Sequence, residues 1–179
     1  MAGFIEGIKA KIKNIVEQED QEGTSATELK SLQNIMQELE HLPDIAAKFL
    51  ASFAFILCRV AYADGHVSPE EMEKIKKVLV KWDGLTEKHT EVIANMARMQ
   101  HAIFSSTDNY LVVREFKEIA NQEQINQLLY SLFEVAASDD SITSAESDTI
   151  CMITKELGLT HDQFIAMRSQ FRDKLEALK

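Results

Sequence analysis

The sequence predicts an all-α fold, a pseudo-symmetric helical bundle of about seven to eight helices with an internal duplication. Three observations carry that expectation. Only two prolines and six glycines punctuate 179 residues, apolar positions recur at helical spacing, and no segment alternates with period two between hairpin turn dipeptides. At 45% apolar residues the composition is near the globular norm, and the length suits a single core.

Phe4, Ile5, Ile8, Ile12, Ile15 and Val16 define an amphipathic helix whose intervening positions carry Lys9, Lys11 and Lys13. Periodicity then stops, and Glu17, Glu19, Asp20, Glu22 and Gly23 suggest an acidic linker, which separates residues 1–25 from an all-helical domain at 26–179. That domain opens with a helix over Ala26–His41, whose Leu29, Leu32, Ile35, Met36 and Leu39 form one stripe, and Pro43 ends it. Asp44–Ala63 follows, apolar almost all round and therefore buried. The same periodicity predicts helices over Pro69–Trp82, Glu87–Phe104, Asp108–Ala120, Gln122–Ser138, Ser144–Leu157 and His161–Leu178.

Charge narrows the partners. Twenty-nine acidic residues against 19 basic ones give a net charge of -10, which opposes a phosphate backbone and favours cations and basic protein surfaces over nucleic acid. The most apolar stretch, Phe49–Cys58, lies between Lys48 and Arg59 and falls short of the ~20 residues of a membrane span. The opening residues hold no continuous apolar run before a small-residue cleavage site, so no secretory signal is expected. Three lysines followed by acids favour packing of the first helix on the domain or a partner helix over a membrane surface. Cys58 and Cys151, outside any C-x-x-C spacing, read as reduced core thiols, for which the cytoplasm is the simplest compartment. No phosphate-cradling loop, dinucleotide fingerprint or nucleophile elbow is present, so neither an enzyme nor an organic cofactor is expected. His41, His66, His89, His101 and His161 are dispersed, which argues against zinc, although His66 sits between Asp64 and Glu71.

The duplication is read from a gapless match. Val60–Glu71 lies on Val135–Glu146, Ile75 and Val78 match Ile150 and Ile153, and Gly84-Leu85-Thr86 matches Gly158-Leu159-Thr160 after one extra residue. Each copy runs helix, acidic turn, helix, Gly-Leu-Thr, helix. Ser68-x-x-Glu71 and Thr143-x-x-Glu146 both fit the capping box, with Pro69 at the first helical position, so helix capping alone accounts for the two glutamates. It does not account for Asp64 and Glu70 in one turn, or Asp139, Asp140 and Asp148 in the other. Hard cations need clustered oxygens, about six to eight for calcium, so one turn supplies too few and two turns brought together supply enough. Neither turn has EF-hand spacing. On the residues alone, capping leads and ion binding stands beside it.

The paired segments resemble the TerB-like tellurite-resistance family, whose hallmark is a duplicated Ala-x-x-Asp-Gly-x-(Val/Ile)-x-x-x-Glu followed by a helix and Leu-Gly-(Leu/Phe). Ala61–Glu71 fits closely, and Ala136–Glu146 fits with Asp140 in place of the glycine, followed by Glu156-Leu157-Gly158-Leu159. The opening helix and the order of elements extend the resemblance over most of the chain beyond the acidic linker. It implies a non-enzymatic, all-helical protein of bacterial stress and tellurite-resistance systems. It further implies a divalent cation, calcium or magnesium rather than zinc, and protein partners that include membrane-associated ones at the inner face of the membrane. A similar domain begins some membrane-anchored DnaJ-like co-chaperones. The implied ligands are Asp64 and Glu71 in the first copy and Asp139 and Glu146 in the second, with Asp140 adding a carboxylate at the price of a poorer left-handed residue.

Overall fold

The computed structural model describes Ala10 and residues 44–65, 67–81 and 106–178. The expected helices over Phe4–Val16, Ala26–His41 and Glu87–Phe104, the acidic linker, Gly84-Leu85-Thr86 and His66 lie outside the described residues. Within them the protein is all-helical, with six α-helices, two 3-10 turns and no strand.

The first described helix, α1 (Asp44–Ala61), is the axis of the core. From Phe49 to Ala61 every residue except Arg59 is buried, as expected for a helix apolar on all sides. Its one buried hydroxyl, on Ser52, donates back to the carbonyl of Lys48 at 2.6 Å, so this donor is satisfied within the helix. Helix α2 (Pro69–Val80) buries Ile75, Val78 and Leu79 on one face, and α3 (Ser106–Ile119) buries Val112, Val113 and Phe116. Helix α4 (Gln122–Ala136) sets Ile125, Leu128, Leu129, Leu132 and Phe133 at helical spacing, α5 (Ser144–Glu156) buries Ile150 and Ile153, and α6 (His161–Ser169) buries Phe164. Helix α1 packs against α2, α3, α4 and α5, while α2 also meets α4 and α6 meets α4 and α5. Both helix pairs that flank an acidic turn therefore share one core.

Aromatic rings tie these layers. Phe116 of α3 lies 5.2 Å from Phe49 and 6.0 Å from Phe53 of α1, and Phe133 of α4 lies 5.8 Å from Phe164 of α6. Arg59, near the end of α1, makes a two-pronged contact with Glu156 at the end of α5, at 2.8 and 3.2 Å. Gly158 takes φ +81° just beyond α5, a left-handed helix stop that favours glycine.

Element bounds agree with expectation to within two residues at most ends, with one correction. The last helix does not run to Leu178 but stops at Ser169 and gives way to 3-10 turns over Arg172–Lys174 and Glu176–Leu178. The cause is a parallel bridge between Leu175 and Ile142: the Ile142 amide donates to the Lys174 carbonyl at 2.7 Å and the Glu176 amide to the Ile142 carbonyl at 3.0 Å. Leu175 and Ile142 are both buried, and Phe171 stacks on Phe133 at 5.4 Å. A continued α-helix would forfeit those contacts.

Replacing Phe116 by alanine, which removes a fully buried ring that touches two others, should cost about 3–5 kcal/mol in urea unfolding. A loss below about 1 kcal/mol would show that the α1–α3 contact is not part of the cooperative core.

Candidate functional site

The two acidic turns are built alike. In the first, the Tyr62, Ala63 and Gly65 amides donate to the carbonyls of Cys58, Val60 and Tyr62 at 2.9, 2.9 and 3.0 Å. In the second, the Ala137, Ser138 and Asp140 amides donate to Phe133, Val135 and Ala137 at 3.0, 3.0 and 3.2 Å. The pattern repeats at matched positions. Each turn closes on a residue of positive φ, +91° at Gly65 and +69° at Asp140. Aspartate thus adopts the left-handed conformation that its partner position gives to glycine, so the substitution leaves the turn's course unchanged.

Beyond each turn comes a complete capping box. The Ser68 amide donates to the Glu71 carboxylate at 2.7 Å while the Glu71 amide donates to Ser68 Oγ at 3.1 Å. The Thr143 amide donates to the Glu146 carboxylate at 2.7 Å, the Thr143 hydroxyl donates to the same oxygen at 2.8 Å, and the Glu146 amide donates to Thr143 Oγ1 at 3.2 Å. Two further boxes, Asn121 with Gln124 and Thr160 with Gln163, start α4 and α6 with glutamine in place of the glutamate. Capping itself therefore does not require glutamate.

Glu71 and Glu146 are only 6% and 5% exposed, an unusual burial for carboxylates. Burial pushes the Glu71 carboxyl above its ordinary range, the hydrogen bonds from Ser68 hold it back, and the charges of Asp64 and Asp139 push it further. Burial likewise raises Glu146, to about 7, with Glu71 and Asp139 adding to the effect against the Thr143 hydrogen bonds. Glu71 thus feels Asp64 and Asp139, and Glu146 feels Glu71 and Asp139, which links four of the five predicted residues electrostatically across the two turns. Among the described residues no cation pairs with Glu71 or Glu146.

The fifth residue is directed elsewhere. Asp140 pairs with the Lys174 ammonium of the C-terminal segment. Asp139 accepts from the Ser141 amide at 3.1 Å within its own turn, and Asp64, Asp139 and Asp148 are exposed. Lys174 was not marked by any local signal, because it reaches Asp140 over 34 residues. With the side chains as they stand, no three His, Cys, Asp or Glu groups among the described residues converge in a metal-holding cluster. The donor chemistry fits a hard cation, being all carboxylate and in excess of local positive charge, and the two buried members already point into their caps. Cys58, fully buried and raised by burial and then by the Glu71 charge, is a protonated core thiol.

Glu146 makes this geometry testable through pH. Between its ordinary 4.5 and its folded value of about 7, the folded protein keeps a proton that the unfolded chain has lost. Its contribution to stability is therefore fully present below pH 4.5 and lost as pH rises through 7, a slope that Glu71 reinforces. In chelator, Glu146→Gln should flatten the fall in melting temperature across this window, and equal slopes for both proteins would contradict a buried, repelled carboxylate. The left-handed turn gives a second check. Asp140→Val should cost more than about 1 kcal/mol, and Asp140→Gly should stay within about 0.5 kcal/mol of the parent in denaturant unfolding.

A family model described as "Tellurite resistance protein TerB" matches residues 49–169. No curated protein and no solved structure matches the chain. The matched span opens within α1 and closes at the last residue of α6, so it encloses both acidic turns and both buried glutamates. The chain belongs to the TerB family and carries its tellurite-resistance-related, all-helical domain.

Proposed function

We propose that this protein is a non-enzymatic, divalent-cation-binding module of a bacterial tellurite-resistance or stress-response system, acting through protein partners that include membrane-associated ones. The observation that carries the reading is the burial of Glu71 and Glu146 in each other's field with no described cation beside them. A divalent ion would convert that repulsion into attraction. Asp64, Glu71, Asp139 and Glu146 would hold it, and Asp140 would join only by leaving Lys174. Oxygen-only donors favour calcium or magnesium over zinc. The matched hydrogen-bond ladders support reading the turns as copies of a duplicated unit.

In this reading the ion would bind ionised carboxylates and release the proton that Glu146 retains near neutrality. It would also join the start of α2 to the start of α5. Work as a cytoplasmic adaptor reaching the inner face of the membrane through its partners fits the lack, among the described residues, of any helix long and apolar enough to cross a bilayer.

A second reading is favoured by one specific observation: both capping boxes are complete without an ion. The turns would then serve only to start α2 and α5, and the protein would be a metal-free scaffold for a protein partner.

Calorimetric titration of chelator-stripped protein with calcium, magnesium and zinc separates the two. The cation reading expects saturable binding to the parent and a loss of about tenfold or more in an Asp64→Asn, Asp139→Asn double variant. It also expects a stabilisation of about 2.7 kcal/mol when the free ion reaches about 100 times its Kd. No heat and no shift in melting temperature with any of the three ions would leave the scaffold standing.

A further inference from the structure

We propose that the cleft between the start of α2, the end of α4 and the C-terminal segment is a docking site for a basic segment of a partner protein, anchored by one aromatic side chain. This goes beyond the cation reading and does not depend on it.

The cleft has a volume of about 640 Å³, a size that accepts a bulky side chain and its flanking backbone. Part of its wall is aromatic. The Tyr130 ring is 41% exposed and lies 5.5 Å from Phe171 at a tilt of 52°. Among the described residues its hydroxyl has no hydrogen-bond partner. A third ring can add to such a pair edge-to-face, with burial of apolar surface as the driving force.

The surrounding charges decide the sign of the ligand. Lys74 is engaged by Glu134 at 2.8 Å, Lys174 by Asp140, and Glu73 by Lys76 at 2.9 Å. The remaining lysine, Lys77, has no ion-pair partner among the described residues. Glu70 and Asp173 also line the cleft, are exposed, and have no ion-pair partner among the described residues. An incoming ligand therefore meets two unengaged carboxylates against one unengaged ammonium, on a chain of net charge -10, a field that steers basic segments in and repels phosphate-bearing ones.

The test is fluorescence anisotropy in chelator at physiological ionic strength, with a labelled peptide carrying a central tryptophan flanked by two arginines on each side. The parent should bind it saturably, at least about tenfold tighter than a peptide with glutamates for the arginines and than one with alanine for the tryptophan. Tyr130→Ala should weaken binding by about tenfold, as should the Glu70→Lys, Asp173→Lys double variant. Both carboxylates in that variant are exposed, so it tests the site even where Tyr130→Ala fails to fold. Absent saturation, equal or tighter binding of the acidic peptide, or parent affinity in the double variant would overturn the proposal. Because no divalent ion is present, these outcomes are separate from those of the calorimetric titration.

Discussion

Two buried carboxylates organise this molecule. Glu71 and Glu146 each leave water to accept from the backbone at a helix start, and each lies in the field of the other turn. Burying a carboxylate is costly unless hydrogen bonds and positive potential compensate. The caps supply the hydrogen bonds, and the N-termini of α2 and α5 supply partial positive charge of roughly half a unit each. That compensation is incomplete, as the raised Glu146 shows. The arrangement tolerates a repulsion that glutamine at the same capping position avoids at α4 and α6.

The turns cannot separate to relieve that repulsion, because the core holds the helices that carry them. Helix α1 enters the first turn directly from its buried stretch and packs against both α4 and α5, the helices flanking the second. Arg59 and Glu156 join the C-terminal ends of α1 and α5, and Lys74 and Glu134 join α2 to α4 at 2.8 Å. Each such pair contributes modestly, the two-pronged Arg59–Glu156 contact more than the single one of Lys74 with Glu134. Apolar burial dominates the energy, and the ion pairs add to a packing that already fixes the helices.

What the sequence disclosed follows from range. Apolar periodicity and capping residues are local, so the starts of α2, α4, α5 and α6 were legible, as were the two capping boxes at Ser68–Glu71 and Thr143–Glu146. Burial of Cys58 followed from the same local pattern. The break after Ser169 was not legible, because nothing in His161–Leu178 opposes a helix; the distant Ile142 strand-like bridge and the stacking of Phe171 on Phe133 redirect the chain. The pairing of Asp140 with Lys174 was hidden for the same reason. Asp140 itself was identifiable as a departure from glycine, but its left-handed backbone required the turn to be seen.

That departure makes the two turns chemically unequal. At Gly65 a Cβ would meet nothing within 4 Å, so the first turn leaves open space where the second places a carboxylate. The carboxylate of Asp140 is committed to Lys174, and Lys174 borders the cleft beside Tyr130 and Phe171. The backbone of Ile142, two residues on, carries the Leu175 bridge that holds the same segment in place. The second turn is thus anchored to one wall of the cleft by an ion pair and two hydrogen bonds, while the first turn runs into another wall through Pro69 and Glu70. Removing the carboxylate at the left-handed position of the second turn removes the ion pair to Lys174, whereas a side chain at Gly65 meets nothing within 4 Å and only backbone strain. The substitution that departs from the family pattern is therefore the one that ties the acidic turns to the surface where a partner would dock.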